Sequence, residues 1–126
     1  MRLLLDTVTF IWAIGSPERI SPKAMRSLLH VEAKLEMSAI SLSEIAIKQT
    51  LGKLNLSMED ARIGIADLKL RILPYTSVHA YHLFGLPQHH RDPFDRQIIA
   101  QALAEDLPMV TSDEKFGLYK GLKVIW

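Results

Sequence analysis

Apolar positions along this chain follow two periods. Short runs that are apolar throughout alternate with longer stretches in which apolar residues recur every three or four positions. Residues 2–5 (RLLL), apolar after Arg2, form one such run, closed by Asp6. A run apolar on both faces reads as a central parallel strand. Residues 7–14 then read as a helix, with Phe10, Ile11 and Ile14 able to face the sheet, stopped by Gly15 and Pro17. Ser21-Pro22 opens a second helix, because serine caps and proline suits the first helical position. It runs to about residue 31, with Ala24, Leu28 and Val31 inward. A strand over 34–39 follows. Ser41-Leu42-Ser43-Glu44 has the form of a capping box and predicts a helix that turns Ile45, Ala46, Ile47 and Leu51 inward and closes at Gly52.

The second half repeats the alternation. A helix spans about 57–70, a strand 71–74 and a brief helix 77–84. Residues 88–91 are a polar loop. Asp92-Pro93 then starts a helix over 93–105, whose wide apolar arc (Phe94, Ile98, Ile99, Ala102, Leu103) implies burial on more than one side. A strand over 107–111, a helical turn over 113–118 and a last strand over 122–125 end the chain. Strands alternating with helices predict an α/β fold with a largely parallel sheet. At 126 residues the expectation is a single domain over 1–126, well above the ~40 residues below which staples are needed. The N-terminal MRLLLDTVTFIWAIG is apolar, but Asp6 interrupts it short of the ~20 residues of a membrane span, so no membrane segment or signal peptide is expected. There is no cysteine, which excludes disulfides and thiolate metal sites and is compatible with the cytoplasm.

The acids change the picture. Asp6 ends the first strand and Asp113 follows the strand over 107–111, the positions where ligands bind in an open α/β sheet. Asp92 and Asp95 start one helix, and Glu44 lies one turn into another. Each of these three also has a local role as a helix cap or capping-box partner. Asp6, Glu44, Asp95 and Asp113 can converge if their strands are neighbours, and oxygen ligands of this kind suit Mg2+ or Mn2+. Grouped carboxylates repel, so at least one is expected to have a raised pKa. Net charge is +1, from 15 basic and 14 acidic residues. Setting those four acids aside leaves ten against 15, a body of +5 around an acidic pit, which suits a polyanionic substrate. Thr7, Ser43 and Thr111 are small hydroxyls beside the acids, placed to hold ligand carboxylates or metal-bound water.

Other chemistry is thinner. His79, His82, His89 and His90 have no zinc-site spacing and read as surface or packing residues. Arg91, Arg96, Lys48, Lys53 and Lys120 can meet phosphates or form a solvated surface. No phosphate-cradling GxxxxGK[ST] loop, GxGxxG fingerprint or GxSxG elbow is present.

Five segments occur in an order that resembles a known family: LLLDT at 3–7 with Trp12, SAISLSEIAIK at 38–48 with GKL at 52–54, RDPFDRQIIAQA at 91–102, VTSDEKF at 110–116, and the closing VIW. Together they resemble the PIN-domain proteins, and among them the VapC-type toxins of prokaryotic toxin–antitoxin pairs. The resemblance implies a three-layer α/β/α sandwich around a small, mostly parallel sheet. It implies a Mg2+- or Mn2+-dependent endoribonuclease whose catalytic, metal-binding acids fall on Asp6, Glu44, Asp95 and Asp113. Asp92 aligns with the first acid of RDPFDR, and Thr111 with a hydroxyl two residues before the last acid. It further implies an RNA substrate, a homodimer, and an antitoxin protein that covers the active-site groove. Val8 stands where histidine is common, and Ser43 where tryptophan commonly precedes the glutamate. Three other readings stay open at this stage: a binding module with a vestigial acidic site, a DNA- or structure-directed nuclease, and a phospho-acceptor domain. The last lacks the lysine it expects after a late strand.

Overall fold

Strands that are apolar on both faces need cover on both faces, and the helices provide it. The computed structural model describes residues 1–126. Its strands are β1 (Arg2–Leu5), β2 (Lys34–Ser38), β3 (Arg71–Leu73), β4 (Met109–Val110) and β5 (Val124–Ile125). Every pairing is parallel, and the order across the five-stranded sheet is β3-β2-β1-β4-β5. The helices are α1 (Thr7–Gly15), α2 (Pro22–Leu28), α3 (Ala39–Thr50), α4 (Met58–Asp67), α5 (Ser77–Tyr81) and α6 (Pro93–Glu105), with 3-10 segments at Pro17–Arg19 and Glu114–Leu118.

Successive strand residues point to opposite faces, and the core divides accordingly. Leu4 and Met109 pack with Ile98, Ile99 and Ala102 of α6 and with Phe116 and Tyr119. Leu5 packs on the other face with Phe10, Met37 and Ile45, and Leu3 with Ala24 and Val110. The result is the three-layer α/β/α sandwich. Leu3, Leu4 and Leu5 are wholly buried, each removing side-chain surface worth about 2 kcal/mol from water. Glu36 of β2 faces this interior with 2% of its surface exposed and is neutralised by Arg2, whose Nη2 donates to it at 3.0 Å.

Several element ends differ from expectation. α2 stops at Leu28, and Val31 is 94% exposed in the turn that returns the chain to β2. The turn must come there because Lys34 pairs with Arg2 in register. α3 begins at Ala39, capped by Ser38, whose Oγ accepts from the Ile40 N–H at 2.9 Å. Ser41 is therefore no cap; it lies inside the helix and is buried. Ile47 and Leu51 are exposed, leaving Ile45 as the buried member of the expected inward set. α4 ends at Asp67, Lys69 adopts a positive φ of 52°, and Leu70 turns back into the core. β4 and β5 pair over two residues each, shorter than their apolar runs. No helix is long and apolar enough to cross a membrane.

Candidate active site

The strand order decides which acids meet. β1 is central; the chain winds from it to β2 and β3 on one side, and β4 and β5 lie on the other. The crevice beyond the carboxyl ends of β1 and β4 is thus the point where the order reverses, the ligand position of such sheets. Asp6 leaves β1 there, and Thr111 and Asp113 leave β4. α3 departs from the neighbouring β2 and brings Glu44, while the N-terminus of α6 brings Asp92 and Asp95.

Asp6 is 6% exposed and each of its carboxylate oxygens accepts one hydrogen bond. Oδ1 accepts from the Thr9 N–H at 2.8 Å, capping α1, and Oδ2 accepts from Thr111 Oγ1 at 2.6 Å. Thr111 in turn accepts from the Asp113 N–H at 3.1 Å, so one hydroxyl ties the first acid to the last. Glu44 is 5% exposed. Its Oε1 lies 2.7 Å from Thr7 Oγ1, which is also 2.9 Å from Ser41 Oγ, and its Oε2 accepts from Lys48 Nζ at 2.6 Å. Asp113 Oδ1 accepts from the Lys115 N–H at 2.9 Å, and Oδ2 lies 2.9 Å from His90 Nε2.

Asp92 caps α6, with Oδ1 accepting from the N–H groups of Phe94 at 2.8 Å and Asp95 at 3.4 Å. That leaves the half-buried Asp95 carboxylate facing the pit rather than closing a capping box. Burial first, and then the negative charges of Asp92 and Glu44, push its pKa up to about 7, while His90 acts in the opposite sense. Burial also raises Asp6, against the hydrogen bonds from Thr111 and Thr9. The Lys48 ammonium is held above its ordinary range by its hydrogen bond to Glu44, with Asp92 and Asp95 adding to it. The expected repulsion is therefore present, adding to the effect of burial at Asp95.

Ligand-capable atoms of His90, Asp95 and Asp113 all lie within 4.8 Å of one another. Of the acids expected to bind metal, Asp95 and Asp113 belong to this group, while Asp6 and Glu44 line the same pit. Ser43 is exposed and outside it. Because α3 starts three residues earlier than its sequence suggests, Ser41 and Glu44 share the inner face and Ser43 is turned away by about 100°. Arg96 does not face solvent phosphate, since its guanidinium donates to the carbonyls of Pro87 at 2.9 Å, His90 at 3.3 Å and Leu86 at 3.2 Å. His90 and Ser41 are the residues that sequence reasoning passed over. The one local hint for His90 is its position two residues before a capping aspartate. An apolar groove of about 510 Å³ between α3 and α4, lined by Leu42, Ile45, Leu56 and Ile65 among others, contains none of the acids.

The family model described as PIN domain matches residues 3–122. No curated protein matches the sequence. Among solved structures, VapBC2 from Rickettsia felis, bound to a DNA fragment from their promoter, superposes with a TM-score of 0.74 at 19% identity, covering 98% of this chain and 97% of that one. DNA-bound VapBC from Salmonella typhimurium gives 0.66 at 21% identity, over 98% and 96%. VapBC-5 from Mycobacterium tuberculosis, a member of the VapBC family of toxin–antitoxin systems, gives 0.60 at 18%, over 98% and 96%. At these identities the likeness establishes the fold.

Proposed function

The chain belongs to the PIN-domain family, and we propose that it is a metal-dependent endoribonuclease, the toxin of a toxin–antitoxin pair. The observation that carries the reading is the pit itself: acids from β1, α3, α6 and β4 meet at the reversal of strand order, with Asp95 raised to about 7 by burial and then by its acidic neighbours. A site that strains its own carboxylates is one a cation relieves. The donor set fits the group, being rich in carboxylate oxygen as Mg2+ and Mn2+ prefer. Asp6, Glu44, Asp95 and Asp113 are its proposed ligands, in one or two metal positions. When bound, such a cation activates a water and steadies the charge on a transferring phosphoryl group.

The chain's own residues do the rest. Thr111 and the Thr9 N–H fix Asp6, and Thr7 and Lys48 fix Glu44, so the donors are held before substrate arrives. Lys48, part-exposed beside Glu44, offers a positive charge to an RNA phosphate near the pit. The likeness to VapBC assemblies supports a cognate antitoxin partner, and a homodimer in the cytoplasm completes the proposal.

The test is RNA cleavage by purified, antitoxin-free protein in EDTA, Mg2+ and Mn2+, beside Asp6→Asn and Asp95→Asn. Metal-dependent cleavage by the wild type alone is expected. Wild-type rates in either variant would remove that residue from the mechanism, and RNA binding without turnover would favour a non-catalytic module.

A further inference from the structure

One buried residue in the pit has no part in the proposed reaction. His90 is 6% exposed, and both ring nitrogens are engaged: Nε2 lies 2.9 Å from Asp113 Oδ2 and Nδ1 lies 2.9 Å from the Tyr119 hydroxyl. The ring stacks on Tyr119 at 5.6 Å and meets Phe116 edge-on at 4.9 Å. Its backbone is held by Arg96, which donates to the His90 carbonyl and to those of Leu86 and Pro87. Asp113, by contrast, is loosely held, with 39% of its side chain exposed. Its other carboxylate oxygen accepts only from the Lys115 N–H, two residues on. His90 therefore supplies the one hydrogen bond that reaches this carboxylate from a distant part of the chain.

The partners fix a proton on Nε2. A phenol donates to an unprotonated ring nitrogen, and a carboxylate accepts from a protonated one. In the neutral ring, Tyr119 O–H to Nδ1 with Nε2–H to Asp113 satisfies every group, and the reverse sets a nitrogen lone pair against a carboxylate; a doubly protonated ring keeps the same Nε2–H bond and donates from Nδ1 to the phenol oxygen. Burial raises the Tyr119 pKa and keeps it a donor.

We propose that His90, oriented by Tyr119, is a positioning residue that holds the Asp113 carboxylate within ligand reach of Asp95. The inference rests on the metal-dependent function proposed above. Residues behind metal ligands commonly set affinity by fixing ligand orientation.

Two measurements on the full chain test it. Nitrogen NMR of the metal-free protein reads the His90 protonation sites: a proton at Nε2 is expected, and a ring unprotonated at Nε2 overturns the arrangement. Calorimetric Mn2+ titration then compares wild type with His90→Phe, which keeps the ring packing and loses both nitrogens, and His90→Gln, which returns a donor near the Nε2 position. His90→Phe should bind Mn2+ about 10- to 100-fold more weakly, and His90→Gln should recover most of that loss. Equal affinity in wild type and His90→Phe overturns the proposal. So does a His90→Gln protein as weak as His90→Phe, which would make the ring itself a ligand. If His90→Phe does not fold, Tyr119→Phe carries the comparison: a smaller loss is expected, and no loss overturns the role of Tyr119. A wild type that binds no Mn2+ is a separate failure, that of the proposed function.

Discussion

Replacing Asp95 by asparagine should make the metal-free protein more stable at pH 8 while removing its response to metal. Raising this carboxyl from its ordinary 3.8 to about 7 corresponds to about 4 kcal/mol at full weight. Asp95 is only half-buried, and water screens part of the repulsion, so about 2 kcal/mol is the expected share. The folded pKa lies above the unfolded one. Between about pH 4 and 7 the native state therefore keeps a proton that the unfolded chain has released, and stability falls as pH rises through that window. Above it the full cost is present; below it there is none. Asparagine has the same shape and no charge, so the gain should appear at pH 8 and shrink towards zero at pH 4. For a chain of this length about 2 kcal/mol raises Tm by about 8 °C. The assay is thermal melting of wild type and Asp95→Asn at both pH values, with and without Mn2+. Wild type should gain stability from Mn2+ at pH 8, and the variant should gain little. An Asp95→Asn protein that melts at or below wild type at pH 8 would refute the claim that burial and charge repulsion together penalise the Asp95 carboxylate.

Thr111→Val removes a buried hydroxyl that bonds both Asp6 and the Asp113 N–H, and should cost about 1–3 kcal/mol in urea unfolding. A loss below about 0.5 kcal/mol, the range of an ordinary surface change, would mean that water replaces it. Lys48→Met removes a part-exposed ion pair worth less than about 1 kcal/mol. The pit becomes more negative, so Mn2+ should raise Tm more in this variant than in wild type, and an equal rise would count against Lys48 as the counter-charge. At Gly64 in α4 an added Cβ would lie 2.7 Å from Ile14 Cγ2 of α1. Gly64→Ala should lower Tm, because overpacking of about 1–3 kcal/mol outweighs a helix gain of about 1 kcal/mol; a higher Tm would show that α1 and α4 separate at little cost.

Features with local causes can be read from the chain. Asp92-Pro93 starts α6 where expected and Glu105 ends it, because a capping aspartate and a helix-compatible proline act within one turn. The all-apolar run at Leu3–Leu5 announces a strand covered on both faces, and Asp6 at its end announces the crevice. The repulsion among grouped acids follows from charge alone. Features set by distant partners cannot be read in this way. The S-x-x-E pattern at Ser41 has the local form of a cap, but β2 pairs with β1 as far as Met37 and with β3 as far as Ser38, so the helix starts there and Ser41 is carried inward to Thr7. His89 and His90 are adjacent and chemically identical. Only the packing of Phe116 and Tyr119, together with the return of the chain through Asp113, makes His90 the one that grips a site carboxylate. The raised pKa of Asp95 was also beyond local reading, because it depends on how little water remains around the carboxyl and on how close α6 brings it to Glu44.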